Sequence, residues 1–148
     1  MPRIVREADV SWEGNLARGN GTLTASSSKA FVELPFSIAS RIATAPEQTS
    51  PEELLAAAHG GCFTTSLAGE LTKAGTPPER LDVRCTITMD EVEGKGHQIV
   101  HSQIVAHGAV PDCDEAAFAQ AAEAADASCP FSALIRASAT VAVTATLS

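Results

Sequence analysis

Four cysteines offer the chemistry this chain could perform, and two of them have a physical case for reactivity. Cys62 follows two glycines in "HGGCF", inside a stretch of helical character, with His59 three residues earlier on the same face. Glycine costs ~1 kcal/mol against alanine in a helix interior. Gly60 and Gly61 therefore ask for another reason: a closely packed second helix, or room for a substrate to reach the sulfur. The commonest role of a free cysteine, a small buried hydrophobe, stays open beside the reactive one. Cys129 falls between Ser128 and Pro130 at the start of a short helix, where free amides and the helix dipole favour a thiolate, or where it simply faces inward. Cys85 sits on the apolar face of a strand and reads as core. Cys113 lies beside Asp112 and Asp114, whose charge disfavours a thiolate. With no CxxC spacing, a zinc ribbon or thioredoxin-like motif has no support.

A thiolate needs a cation. Arg41 stands in the otherwise uncharged run "FSIASRIATAP", which makes it the arginine expected to be partly buried. A buried arginine requires a carboxylate. Glu53 is engaged by the capping box, which leaves Glu52, whose plain alternative is an acidic residue favouring a helix start. Glu52 and Cys62 are ten residues apart on one helix, hence ~15 Å along its axis. To serve one site, Glu52 must approach the cysteine of another chain. His97, His101 and His107 share strand parity, but neighbours four apart on a strand are separated by ~13 Å, so no metal site is expected there and the rings should face solvent.

These residues need elements to position them. Alternation from Ile4 to Glu13 reads as a strand, and Thr22 to Ser28 and Phe31 to Ile42 suggest two more. "SPEELL" supplies Ser50 as cap, Pro51 at the first position and Glu53 three residues on, opening a helix that runs to Lys73. Leu81 to Met89 alternates cleanly, and "EGKGH" turns it into a second strand over roughly 98–110. A helix capped by Asp112 or Asp114 runs to about Ala127, "CPFSALIRA" forms a short helix with Pro130 in its first turn, and Ala137 to Leu147 closes as a strand. The order is that of an α+β chain. Between Leu54 and Thr72 the long helix has only Glu70 as a formal charge, so it expects burial on every side. Its length of ~36 Å exceeds what one small domain easily encloses, which points to a dimer with this helix at its centre.

Composition narrows the function classes. The 148 residues carry a net charge of −8, which argues against a sequence-independent grip on nucleic acid or an anionic membrane. The run Leu54 to Leu71 is too polar to span a bilayer. No basic segment precedes an apolar stretch at the start, so the expected compartment is the cytoplasm, where structural disulfides are rare.

Three stretches, "WEGNLARGNGT", "SPEELLAAAHGGCF" and "SCPFSALIRASATV", resemble the osmotically inducible protein C family, OsmC, sister to the organic hydroperoxide resistance proteins, Ohr. The likeness runs over essentially the whole chain in order. The pattern P-E-E-L-x-x-A-A-H-x-x-C-F is its most specific part, with His59 resembling the OsmC branch where the Ohr branch typically has Tyr. "HGGC" departs from the commoner "HAAC" and "HSAC" without touching an expected catalytic group. The resemblance implies a single OsmC-like domain over residues 1–148 and an intertwined homodimer. In it, two antiparallel-rich β-sheets wrap long central helices, and two active sites lie at the interface. It implies a thiol-dependent peroxidase acting on organic hydroperoxides, with dihydrolipoamide or a lipoylated protein as dithiol reductant and no cofactor or metal. By position Cys62 matches the peroxidatic cysteine, Cys129 the resolving cysteine and Glu52 the site glutamate. Arg41 matches the arginine of the OsmC branch, and Arg18 is the nearest match to that of the Ohr branch.

Phe63, Phe131, Leu55 and Ile135 are expected to supply an apolar pocket. The helix-start argument favours Cys129 as the low-pKa thiol, whereas the resemblance gives the attack to Cys62. Two readings of other classes stand beside the peroxidase: a non-catalytic redox sensor or stress-binding protein that uses the same disulfide as a switch, and a structural dimer with inert cysteines.

Overall fold

The turn after Trp12 sets the first strand pairing in the computed structural model, which describes residues 2–148. Gly14 takes a φ of +89°, a value side chains resist, and the Gly19 N–H closes the loop on the Asn15 carbonyl at 2.7 Å. Strand β1 (Asp9–Glu13) therefore returns as β2 (Asn20–Thr24), and β3 (Leu34–Phe36) adds antiparallel on its far side. Trp12 and Phe36 both register against Gly21 with their rings 5.6 Å apart, and a Cβ at Gly21 would collide with both. The strands expected from Ile4, over Thr22 to Ser28 and over Phe31 to Ile42 are all shorter than the pattern suggested. Lys29 and Glu33 take positive φ, which interrupts extended pairing. After Phe36 the Ser37 hydroxyl accepts from the Ser40 N–H at 3.1 Å, starting helix α1 (Ile38–Ile42) where a strand was expected. These residues form one compact unit that ends at Pro51.

A second unit runs from Glu52 to Ser148. Helix α2 (Pro51–Lys73) has the bounds its capping signals gave, with Glu52 and Glu53 at the positive end of its dipole. Gly75, at φ +83°, turns the chain out of it. Strands β4 (Arg80–Val92) and β5 (Gly96–Ala109) form an antiparallel hairpin. The chain then crosses through α3 (Glu115–Ser128) and α4 (Pro130–Arg136) to β6 (Thr140–Leu147), which pairs parallel with β5 and leaves β5 central. Asp114 caps α3, its carboxylate accepting from the Ala117 N–H at 2.7 Å, and Pro130 opens α4 directly after Cys129.

Four-residue spacing decides which edge of α2 is buried. His59, Phe63, Leu67 and Leu71 form that edge, and the three apolar members meet Ile104 and Ala106 of β5 and Phe118, Ala122 and Ala125 of α3. Burying each of these large side chains contributes ~2 kcal/mol. The opposite edge, Glu53, Ala57, Gly61, Thr65 and Gly69, is exposed and, after Glu53, made of small residues. The architecture is α+β, with two three-stranded sheets and four helices among the described residues.

Candidate active site

Cys62 and Cys129 are brought together. Cys62 sits in the middle of α2, half-buried, and Cys129 is the buried residue that caps the start of α4. Both are reduced, and the Cys129 thiol donates to the Cys62 sulfur at 3.3 Å. A disulfide needs ~2 Å, so a small closure joins them. Proline at the first position of α4 has no N–H, which makes the next amide, that of Phe131, the first free donor of the helix. That amide and the hydroxyl of Ser66, one turn along α2, both favour the Cys62 thiolate. Burial pushes the Cys62 thiol above its ordinary value and the neighbouring Cys129 thiol adds to this, while the Phe131 N–H and the Ser66 hydroxyl oppose it. Cys129 itself makes no side-chain cap hydrogen bond at the start of α4.

His59 lies one turn before Cys62 and is fully buried. Its Nδ1 is 2.7 Å from the hydroxyl of Ser102 on β5, and its Nε2 is 2.8 Å from the hydroxyl of Ser132 on α4. Both serines are fully buried. Burial lowers the His59 pKa, a shift only partly offset by the Asp126 carboxylate. Cys85, which joins this cluster from β4, has its sulfur 3.3 Å from Ser102 Oγ and 3.7 Å from His59 Nδ1. Burial pushes that thiol up as well, against hydrogen bonds from the Ser102 hydroxyl and the Gly60 backbone. Gly60 is explained by this neighbour, because a Cβ there would stand 3.3 Å from that of Cys85, whereas a Cβ at Gly61 would meet nothing within 4 Å.

The other expected residues are placed as follows. Glu52 is in the first turn of α2, half-buried, ten residues before Cys62 and thus ~15 Å from it along the axis. Arg41 closes the last turn of α1 in the first unit, where it lines an apolar recess of about 280 Å³ with Trp12, Leu16, Phe36 and Ile38. Arg18 is exposed in the turn between β1 and β2, its backbone N–H on the Asn15 side chain at 2.9 Å. Of the four residues expected to form an apolar pocket, Phe63 and Ile135 are core, 0% and 5% exposed, and cannot line an open one. Cys113 lies near the α3 cap, its thiol on the Asp114 carbonyl. Among the described residues no group of His, Cys, Asp and Glu could hold a metal ion, and no helix is long and apolar enough to cross a membrane.

Sequence reasoning missed Ser66, Ser102 and Ser132. Ser66 was findable, since it follows Cys62 by one helical turn. The other two reach His59 from 43 and 73 residues away and leave no local signal.

Comparison with known proteins places the chain by family and fold. The family described as OsmC-like protein matches residues 44–144. The protein named peroxiredoxin OsmC from Escherichia coli K12 is 31% identical over 138 residues, covering 93% of this chain and 94% of the relative. Among solved structures, an organic hydroperoxide resistance protein from Elizabethkingia anophelis superposes with a TM-score of 0.78 at 18% identity, over 99% of this chain and 100% of that one. OhrB of Bacillus subtilis gives 0.71 at 20% identity, over 95% of this chain and 98% of that one. At such identities the structural matches speak to the fold alone.

Proposed function

The chain belongs to the OsmC-like protein family, and we propose that it is a thiol-dependent peroxidase that reduces organic hydroperoxides to alcohols, with residues 1–148 acting as one domain. The observation that carries this reading is the Cys62–Cys129 pair, two free cysteines with 3.3 Å between their sulfurs.

The Cys62 thiolate attacks the distal peroxide oxygen. The O–O bond breaks, the alkoxide leaves and takes up a proton as alcohol, and Cys62 becomes a sulfenic acid. Cys129 then attacks the oxidised sulfur, the S–O bond breaks, water leaves, and a disulfide remains. An external dithiol, dihydrolipoamide or a lipoylated protein, returns the pair to thiols by exchange. Phe131 N–H and Ser66 support the thiolate and its oxidised successors at Cys62. Because burial disfavours that thiolate, the site calls for a cation. We assign it to Arg41, with Arg18 the alternative, and Glu52 as the carboxylate that orients it. Given the ~15 Å between Glu52 and Cys62 on one helix, this assignment entails a homodimer in which Glu52 of one copy serves the cysteine of the other. The exposed small-residue edge of α2 suits such a contact.

The test is turnover of cumene hydroperoxide and hydrogen peroxide with a dithiol present. Wild type should consume the organic peroxide faster, and Cys62→Ser should not exceed the uncatalysed rate. A wild-type rate no higher than that of Cys62→Ser would leave the redox-sensor reading in its place.

A further inference from the structure

Helix α4 starts at Cys129, whose thiol meets the Cys62 sulfur, yet it is only seven residues long. Its position against α2 has to be set by contacts beyond its own backbone. Arg136 ties its last turn to the Asp126 carboxylate of α3. Ser132 ties its first turn to α2 through His59. His59 precedes Cys62 by one turn, and Ser132 follows Cys129 by three residues. His59–Ser132 and Cys62–Cys129 are therefore neighbouring rungs between the same two helices. The His59 rung is itself anchored, because Nδ1 is held from the sheet side by Ser102, and all three residues are 0% exposed. A neutral imidazole has one donor and one acceptor nitrogen, and a serine hydroxyl answers either, so the rung is satisfied without charge. Burial keeps His59 in that neutral form.

We propose that His59 is a positioning residue: through Ser132 it holds the first turn of α4 so that Cys129 meets the Cys62 sulfur, with Ser102 fixing the imidazole. The inference rests on the Cys62–Cys129 pairing proposed above. The step it governs is the closure from 3.3 Å to bonding distance, in which the S–S bond forms as water leaves the Cys62 sulfenic acid with the Cys129 proton. A misplacement of ~1 Å at reacting atoms costs up to ~100-fold in rate, so a loosened α4 should be felt first here.

Each hydroxyl contributes one bond to the same ring, which makes the test a contrast between variants. Formation of the Cys62–Cys129 disulfide is followed by quenched mass spectrometry in two settings: with cumene hydroperoxide, and in a buffer of oxidised and reduced dithiothreitol that needs no peroxidase chemistry. Ser132→Ala and His59→Asn, whose short amide keeps only the Ser102 bond, should slow formation ~10-fold or more in both settings. His59→Gln, whose longer amide reaches Ser132, should stay within ~3-fold of wild type, and Ser102→Ala, which loosens the imidazole but leaves its bond to Ser132, should slow formation clearly less than Ser132→Ala. All four variants should unfold at lower urea concentration, so the contrast rather than folding is the readout. Equal slowing by Ser132→Ala and Ser102→Ala, or no slowing by Ser132→Ala, overturns the proposal. So does a wild-type protein that forms no Cys62–Cys129 bond in dithiothreitol buffer. Wild type that forms the bond there yet consumes no peroxide sinks the peroxidase and leaves the positioning role standing.

Discussion

Cys62 and Cys85 make a controlled comparison within one molecule. Both are half-buried, and both thiols are pushed up by burial, an effect opposed by a hydroxyl and a backbone group beside each: Ser66 and Phe131 for Cys62, Ser102 and Gly60 for Cys85. They flank the same histidine. What separates them is the neighbour at 3.3 Å, which for Cys62 is the thiol of Cys129 and for Cys85 the hydroxyl of Ser102. A sulfenic acid on Cys62 has a partner that can condense with it. One on Cys85 would face an alcohol, which cannot form a disulfide. Two half-buried cysteines beside one histidine thus differ in their nearest partner, and only Cys62 has a second sulfur within reach of a disulfide.

The strongest way to break the comparison is to exchange the two sulfurs in turn. Cys62→Ser should reduce organic hydroperoxide turnover by at least ~10³-fold, while Cys85→Ser should change it by no more than ~3-fold, both read as peroxide consumption with a dithiol. Loss of turnover on Cys85→Ser would erase the distinction. A second probe tests the cation proposed for Cys62. Since burial raises both thiols, Arg41→Met should slow iodoacetamide labelling of Cys62 at neutral pH ~10-fold and leave Cys85 unchanged. If Arg18→Met has that effect instead, the cation is Arg18.

The histidine between the two thiols sharpens the comparison through pH. His59 has a pKa lowered in the folded chain, so below 6.5 the unfolded chain takes a proton that the fold resists. Its contribution to stability is whole above that value and is lost as pH falls toward the lowered one. Urea midpoints followed from neutral pH downward should drop in wild type, and His59→Gln should flatten part of that drop. An identical slope in both would mean that His59 is already charged in the fold. The smallest effect concerns the paired glycines. Gly61→Ala meets open space and should raise the stability of a single chain by up to ~1 kcal/mol, whereas Gly60→Ala presses on Cys85 and should not. A Gly61→Ala protein that is less stable, with stability depending on protein concentration, would show that a second copy occupies this edge of α2.

Much of the second unit was legible because its signals are local. Ser50-Pro51-Glu52-Glu53 marked the start of α2 and Gly75 with Pro77-Pro78 its end, Asp112 or Asp114 announced α3, where Asp114 proves to be the cap, Pro130 announced α4, and "EGKGH" marked the hairpin. The first unit was less legible. "FSIASRI" alternates well enough to pass for a strand, and only the Ser37 side chain turning back onto the Ser40 N–H diverts it into α1. The site was legible in its nucleophile and not in its surroundings. Glycines beside a cysteine single out Cys62, but nothing local foretells that a residue 67 positions later lies against its sulfur, and that pairing came from the family resemblance. The serines around His59 were hidden for the same reason, since hydroxyls that meet only through the tertiary fold leave no spacing in the chain.

The central claim, that Cys62 and Cys129 form the redox pair, is tested most directly by peptide mapping of the reduced protein after one equivalent of cumene hydroperoxide. A single cross-linked species is expected, the Cys62 peptide joined to the Cys129 peptide with the loss of two hydrogens, reversible by dithiol. Peroxide consumed with Cys62 and Cys129 unlinked, or a link that runs instead to Cys85 or Cys113, would contradict it.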